Sequence, residues 1–377
     1  MRVRPVQFNI FLFKRAKTKG LLTMSIKIKI KVLDYVKRFF SPEGLSALCA
    51  LSSLAITGLI FVFLFLEAAP AFKKLSYGFW TVHLAWLFGY GNLFESNIWL
   101  FLDGNIFAGL WNFITGTTWS PNAYLFGILP VIQSTLIVVG GAVLVATPIG
   151  ILSAVHLAEY CSLKLKTTLK YVIELLASIP SVVYGLVGLT IVVPWIKNAF
   201  NLSSGNTALA GIIILSVMIL PTIVSVSEDA ISSIPKELSE ASYALGAKKF
   251  QTVFKVVLPA AATGVAASII LAVARALGET MAVLMLTGNT PFLLDIPPEF
   301  IFYGGLEKVS LYLKEIFLSP VYPMTSAIAL EVGESSWNSM HYQSLLGIGF
   351  VLFVMTYLIN STAEYIILRS SKLKVKR

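Results

Sequence analysis

Long apolar runs alternate with short polar connections along most of this chain. Six of the runs have 18 or more residues, enough for a helix to cross a hydrocarbon core about 30 Å thick. A further apolar stretch, 324–333, is too short to cross, so we expect it at the membrane interface or packed against the bundle. The pattern predicts an all-α membrane protein with six transmembrane helices. The predicted spans are 45–66, 128–157, 171–196, 208–227, 258–286 and 344–368.

Composition agrees with this pattern. Hydrophobic residues make up 56% of the chain and charged residues 13%, and the mean hydropathy is +0.81. These values lie outside the range of soluble domains. The chain is therefore expected to be a multi-pass membrane protein.

Basic residues predict the orientation of the spans, because cytoplasmic loops are enriched in Lys and Arg. Of the 29 basic residues, 23 fall in segments that the six spans place on one side, five fall on the other, and Arg275 lies within a span. Both termini are thus expected in the cytoplasm. The net charge of +10 is explained by this asymmetry and by contact with anionic lipid, without nucleic acid. The basic segments are 1–44, 158–170, 228–257 and 369–377.

These features divide the chain into successive regions. Met24 is a plausible second start, so residues 1–23 are expected to be dispensable or an artefact of the assigned start site. The regions are a basic N-terminal segment 1–44, a first transmembrane helix 45–66, an external segment 67–127, a transmembrane core 128–368 with a cytoplasmic loop 228–257 and an external loop 287–343, and a basic tail 369–377.

A polar hairpin interrupts the apolar pattern between the fourth and fifth spans, where residues 240–259 read EASYALGAKKFQTVFKVVLP. Gly246 can adopt the left-handed conformation that ends a helix. A second short helix is expected from apolar residues at helical spacing, stopped or bent by Pro259. Small side chains at Ala241 and Ser242 would let a partner approach the backbone, and Glu240 offers it a charge.

The fifth predicted span carries two charges, Arg275 and Glu279, at a spacing that places both on one face of a helix. Each would cost about 2.5 to 3.5 kcal/mol if it faced lipid at mid-bilayer. They are therefore expected to face a pathway or to form a structural ion pair. The planar guanidinium of Arg275 is suited to binding two oxygens of a tetrahedral oxyanion.

The hairpin resembles the coupling loop of ABC importer permeases, which reads Glu-Ala-Ala, three residues, Gly, nine residues, Ile, one residue, Leu-Pro. Ser242 replaces the second Ala and Val256 replaces the Ile, while Leu258 and Pro259 match. Three stretches, 174–189, 218–238 and 275–289, are similar to the PstC family of phosphate importer permeases. The PstA family is also similar, but it usually has GETAPL where this chain has GETMAVL.

The resemblance implies the type I ABC importer permease fold, a location in the prokaryotic cell membrane and a division of labour among subunits. It implies a heterodimer with a PstA permease, two copies of the ATPase PstB on the coupling loops, and an extracytoplasmic phosphate-binding protein, PstS. The hairpin residues Glu240, Ala241, Ser242, Gly246, Leu258 and Pro259 would then contact the ATPase, and Arg275 and Glu279 would line the substrate path.

Other chemistry is weakly indicated. The chain has no G-x-x-x-x-G-K-[ST] loop, so ATP is expected to bind a partner, and no catalytic, cofactor or metal residues are predicted. Glu174 is expected to pair with Lys170 one helical turn away. Two alternatives stay open at this point: a permease of the same fold for molybdate, sulfate or phosphonate, and a self-contained secondary carrier or intramembrane enzyme.

Overall fold

The computed structural model describes residues 42–75, 106–291, 293 and 313–375. Most of the predicted N-terminal segment, parts of both predicted external segments and the last two residues of the tail lie outside the described residues. By compactness the chain divides into residues 1–63 and 64–377. The first unit contributes only the opening of one helix to the described residues.

The described residues are almost entirely helical. The helices are α1 Pro42–Leu75, α2 Ile106–Thr115, α3 Leu129–Val155, α4 Leu163–Ser178, α5 Ser181–Val187, α6 Val193–Phe200, α7 Ala208–Ser232, α8 Lys236–Ala244, α9 Lys249–Thr252, α10 Leu258–Ala260, α11 Ala262–Leu277, α12 Met281–Leu286, α13 Met324–Glu331 and α14 Met340–Val375. Single π-helical turns follow α3, α5 and α9, at His156–Tyr160, Gly188–Val192 and Val253–Val257. Strands β1 Trp119–Ser120 and β2 Leu125–Phe126 form a small antiparallel hairpin in which Trp119 pairs with Phe126.

The prediction of six transmembrane helices is confirmed when one bent pair counts as a single span. Within the described part of the chain, five helices are long and apolar enough to cross a bilayer, and the sixth span is Lys249–Ala260 with Ala262–Leu277, bent by 68°. The five are Cys49–Leu75, Leu129–Tyr160, Ser181–Phe200, Ala208–Ser232 and Met340–Tyr365.

The predicted third span, 171–196, is wrong as a single helix. Helix α4 ends at Ser178, Ile179 is extended at φ −66° and ψ 130°, and the next helix begins after Pro180. Proline disfavours helical geometry in the residue before it, which explains the break. Residues of α4 therefore form a separate, largely exposed helix, and the crossing helix begins at Ser181.

Helix α7 lies at the centre of the bundle. In its most apolar 18 residues, 61% are buried, against 33% or less in the same stretch of the other four continuous spans. Helix α7 packs on α3, α11 and α4. Gly141 and Gly150 of α3 allow the close approach, because a Cβ at either would lie 2.6 Å from Ile212 or Ile223 of α7. Small residues at helix contacts are the usual means of close packing in membranes.

Helices α2, α13 and the start of α14 pack with the β-hairpin at the end of the bundle opposite residues 236–260. Their shared core contains Phe72, Phe113, Ile128 and Met324, all fully buried. Residues 321–327 fold back into the bundle, and the backbone N–H groups of Tyr322 and Met324 donate to Ser134 and Thr135 of α3. Stretch 324–333 was expected either at the membrane interface or packed against the bundle, and the second alternative is confirmed.

One carboxylate joins three parts of this region. Glu331 accepts hydrogen bonds from Trp119 Nε1 at 3.0 Å and the Tyr322 hydroxyl at 2.6 Å, and it lies 2.7 Å from His341 Nε2. Burial alone would raise the pKa of Glu331, but its hydrogen bonds with His341, Tyr322 and Trp119 outweigh burial and lower it. Burial and the Glu331 contact raise the pKa of the Tyr322 phenol. The β-hairpin, α13 and α14 are thereby tied together.

Candidate functional site

Arg275 lies two residues before the end of α11 and is half-buried within the bundle. Its Nη1 donates to the Thr222 hydroxyl of α7 at 3.1 Å, and its Nη2 donates to the carbonyl of Ala177 in α4 at 3.4 Å. The guanidinium therefore joins three helices. Since an Arg side chain has five N–H donors, donors remain for a ligand.

The partner of Arg275 in α4 belongs to the last helical turn. Carbonyl groups there have no intrahelical donor and carry the negative end of the helix dipole. The Tyr184 hydroxyl donates to the Leu176 carbonyl at 2.7 Å, next to the Ala177 carbonyl that Arg275 contacts. Arg275 thus supplies a donor to the Ala177 carbonyl, while the Leu176 carbonyl accepts from both Tyr184 and the backbone N–H of Ile179.

The prediction that Arg275 and Glu279 share one helical face is wrong. Helix α11 ends at Leu277 with Gly278 as its C-cap, so Glu279 follows the helix in the short connection to α12. The Glu279 carboxylate accepts from the N–H of Ala282 at 3.1 Å, and its backbone carbonyl accepts from the Thr325 hydroxyl at 2.9 Å. The ion pairs among the described residues do not include Arg275 with Glu279.

Glu279 lines a cavity with room for about one water molecule. Residues from α3, α11, α12 and α13, with the connections before α12 and α13, form its walls. The lining residues are Thr135, Val138, Val139, Ala276, Leu277, Glu279, Val283, Pro323 and Thr325. Arg275 does not line this cavity. The structure thus places the two charged side chains in neighbouring but separate environments.

The charge cluster with the shortest contacts among the described ion pairs lies near the C-terminal end of α7, and the sequence reasoning missed it. Glu228, whose side chain is 3% exposed, pairs with Lys166 at 2.5 Å and Lys170 at 2.8 Å, and Ser232 donates to it at 2.7 Å. Lys170 also contacts Asp229 at 2.5 Å. Hydrogen bonds to Asp229 and Glu228 raise the pKa of the Lys170 ammonium group. Four charged groups thus fasten the start of α4 to α7.

The predicted pairing of Lys170 with Glu174 is therefore wrong. Lys170 turns toward α7, and Glu174 is exposed on α4. A buried carboxylate attracts a lysine more strongly than an exposed one, because less water screens the interaction. The available signal was the Glu228-Asp229 dipeptide directly after a long apolar run.

Helices α8 and α9 form the predicted hairpin. Gly246 between them has φ +82°, as expected for a residue that ends a helix in the left-handed conformation. Glu240 and Ala241 are exposed, and the Ser242 hydroxyl bonds that of Thr252 at 2.9 Å, which joins the two helices. Leu245 is 90% exposed and Phe250 65%. The hairpin tip thus presents apolar side chains outside the bundle.

The second helix of the hairpin continues into the membrane span. Val253 and Val257 are buried against the ends of α3 and α7, while Leu258 is half-buried and Pro259 exposed. The helix continues past Pro259 and bends at Ala261, two residues later than the predicted position. The described residues contain no group of three or more His, Cys, Asp or Glu able to hold a metal ion.

Apolar spans around a hydrogen-bonded arginine, with an exposed hairpin between two spans, define a membrane-embedded transport component. The model for the family "binding-protein-dependent transport system inner membrane component" matches residues 146–367. The chain belongs to this family. It is thus an all-α ABC importer permease, a multi-pass membrane protein and a transport subunit rather than an enzyme.

Curated relatives extend the match. The chain is 39% identical over 265 residues to the Bacillus subtilis protein "probable ABC transporter permease protein YqgH", covering 70% of this chain and 78% of that one. It is 31% identical over 292 residues to a Mesorhizobium japonicum "phosphate transport system permease protein PstC", covering 70% and 83%. A Mycobacterium tuberculosis "phosphate transport system permease protein PstA 1" is 32% identical over 202 residues, covering 53% and 62%.

Two solved structures are also similar to this chain. An inward-facing MetNI methionine ABC transporter chain matches with TM-score 0.44 at 18% identity, covering 64% of this chain and 94% of that one. A bacterial alginate ABC transporter chain matches with TM-score 0.46 at 18% identity, covering 77% and 97%.

Removing the Glu228 charge should destabilise the protein, because Lys166 and Lys170 would lose their shared counter-charge. We expect Glu228→Gln to lower the free energy of unfolding by about 1 to 3 kcal/mol. The matched control Glu174→Gln, on exposed α4 surface, should stay within about 0.5 kcal/mol. Chemical denaturation of the purified protein in one detergent measures both, and equal stability of Glu228→Gln and the unmodified protein would contradict the prediction.

Proposed function

We propose that this chain is a permease subunit of an ATP-driven importer that carries inorganic phosphate across the cell membrane. The observation that carries the proposal is Arg275, a hydrogen-bonded guanidinium within the apolar bundle. Relatives whose names specify phosphate transport support the choice of anion.

The proposed role of Arg275 is to bind phosphate oxygens along the translocation path. The remaining donors of its guanidinium can bind an oxyanion in the bidentate geometry that an ammonium group lacks. Both observed partners of Arg275, a hydroxyl and a carbonyl, are neutral. Among the described residues no carboxylate forms an ion pair with Arg275, which favours an anionic ligand.

The proposed role of Glu279 is to distinguish phosphate from sulfate. Phosphate at neutral pH keeps a proton that it can donate to a carboxylate, whereas sulfate has none and would be repelled. Glu279 accepts one hydrogen bond from Ala282 and has further acceptor capacity. Because it does not neutralise Arg275 in the structure, a role of its own along the path gains support over the structural ion pair.

The proposed partners follow the division of labour found in such importers. A PstA-type permease would complete the path, two PstB-type ATPases would contact the hairpins, and a PstS-type binding protein would deliver phosphate. The ATPase contact on this chain would include Glu240, Ala241, Ser242, Gly246, Leu258 and Pro259. Exposed Leu245 and Phe250 support this proposal, because large apolar side chains at a polar hairpin mark an interaction site.

The structure suggests how the hairpin would transmit motion. The Ser242–Thr252 hydrogen bond joins its two helices, so an ATPase pushing on α8 would move α9 with it. Val253 and Val257 then connect the hairpin to the ends of α3 and α7. We propose that closure of the ATPase dimer moves this unit and tilts α7 and α11, exposing the Arg275 region to alternate sides.

We expect charge removal at Arg275 to abolish phosphate uptake and Arg275→Lys to restore it poorly, because an ammonium lacks the planar fork. Glu279→Gln should lower phosphate uptake and let sulfate compete. Radiolabelled phosphate uptake, with sulfate as competitor, measures all three variants. Lys197→Gln, which removes an exposed charge at the end of α6, is the matched control for Arg275→Gln.

Normal uptake in Arg275→Gln would remove Arg275 from the path. Normal uptake in Glu279→Gln without sulfate competition would show that Glu279 does not distinguish phosphate from sulfate. Its role would then be limited to the hydrogen bond that it accepts from Ala282. Inhibition of the unmodified importer by molybdate, sulfate or phosphonate at concentrations equal to phosphate would favour a different oxyanion.

Bulk at the hairpin should prevent the ATPase from docking and so stop transport. Ala241→Trp adds volume to an exposed contact surface, and Gly246→Val forces a β-branched residue into φ +82°, at a cost of about 1 to 3 kcal/mol. We expect both variants to insert normally but to lose ATPase co-purification and uptake. Leu163→Trp, which adds the same bulk at an exposed site of α4, should behave like the unmodified chain. Full ATPase association in Ala241→Trp would exclude this surface as the docking site.

We also propose that the hairpin and both termini face the cytoplasm, supported by the 23 basic residues that this orientation places there. In a chain with Cys49 and Cys161 replaced by Ser, Ser120→Cys should react with an impermeant maleimide in intact cells. Lys248→Cys should react only after permeabilisation. Labelling of Lys248→Cys from outside would reverse the orientation.

A further inference from the structure

Thr222 differs from other threonines of the spans in what its hydroxyl contacts. Thr135, Thr190, Thr356 and Thr362 each donate to a carbonyl four residues earlier in their own helix. The hydrogen bond of Thr222 is instead with Arg275 Nη1, 53 residues away in sequence. The half-buried hydroxyl of Thr222 in α7 thus accepts a hydrogen bond from the guanidinium of Arg275 in α11.

The two partners of Arg275 are not equivalent. The Thr222 contact is 3.1 Å long and the Ala177 contact 3.4 Å, near the limit for a hydrogen bond. Ala177 lies one residue before the end of α4, beside the break at Ile179 and Pro180. Thr222 lies inside α7, the most buried of the continuous spans. The firmer contact therefore comes from the better-packed helix.

We propose that Thr222 is the positioning residue that holds the Arg275 guanidinium toward the path, and that an arriving oxyanion replaces the Ala177 carbonyl. This inference rests on the proposed function of Arg275. Fixing Nη1 on Thr222 limits rotation of the guanidinium, so its remaining donors keep one orientation. An anion binds a cation more strongly than a neutral carbonyl does, so the long Nη2 contact is the one to exchange.

The exchange would couple the site to α4. Without the Arg275 contact, the Ala177 carbonyl loses its side-chain partner, and the last turn of α4 keeps the Tyr184 bond to Leu176. Lys166 and Lys170 still fasten the beginning of α4 to α7. Anion binding would thus loosen one end of α4 while the other stays fixed.

The test separates a hydroxyl contact from simple packing. Thr222→Val keeps the shape but removes the hydroxyl, and we expect uptake to fall about tenfold, as for loss of a hydrogen bond to a charged group. Thr222→Ser keeps the hydroxyl and should remain within about twofold of the unmodified chain. A packing role would give the reverse order. Thr356→Val, at a half-buried threonine bonded within α14, should leave uptake unchanged.

A second background tests whether Thr222 acts through Arg275. In Arg275→Lys, adding Thr222→Val should lower the residual uptake by less than about twofold, since coupled residues are not additive. If Thr222→Val does not accumulate in the membrane, Thr222→Ala, normalised to inserted protein, replaces it.

The outcomes distinguish the two proposals. Normal uptake in Thr222→Val, or equal loss in Thr222→Ser and Thr222→Val, overturns the role of Thr222 while Arg275→Gln still reports on the path. Normal uptake in Arg275→Gln overturns the proposed function itself, whatever the Thr222 variants do.

Discussion

A positive charge held inside an apolar bundle must find its hydrogen-bond partners within the protein, because water is scarce there. Arg275 obtains them from two other helices, the side chain of Thr222 in α7 and the backbone of Ala177 in α4. This requirement fixes how close α11, α7 and α4 must lie. It also places the break at Ile179 and Pro180 beside the guanidinium, since only a helix end presents a carbonyl without an intrahelical donor.

Helix α7 connects the two charged regions of the molecule. It bears Thr222 near the guanidinium and Glu228 six residues further on, close to two helical turns. Helix α4 has no fully buried residue and is fastened to its surroundings by polar contacts at both ends, through Lys166 and Lys170 at one and Ala177 at the other. Polar attachment without a buried apolar face is typical of an element that can move relative to its neighbours.

Much of this arrangement could be predicted from the sequence, because it depends on local rules. The apolar runs predicted the spans, and Gly246 predicted the turn of the hairpin. The prediction that Arg275 and Glu279 share one helical face was wrong because α11 ends between the two residues, with Gly278 as its C-cap. The spacing rule holds only while the helix continues. The Glu228 pairs join residues 58 and 62 positions apart, which periodicity does not reach. The break at Pro180 also follows a local rule, since an Ile-Pro step disfavours helix at Ile179.

The exposed hairpin tip also affects how long an unassembled copy of this subunit survives in the cell. Leu245 and Phe250 lie on the polar hairpin outside the apolar bundle, where the chain's own core leaves them exposed. A newly inserted copy without its partner would present these side chains to chaperones and proteases, which recognise apolar surface in water. The cellular amount of this subunit would then follow the supply of the protein that covers the tip, so that excess copies are degraded rather than accumulated.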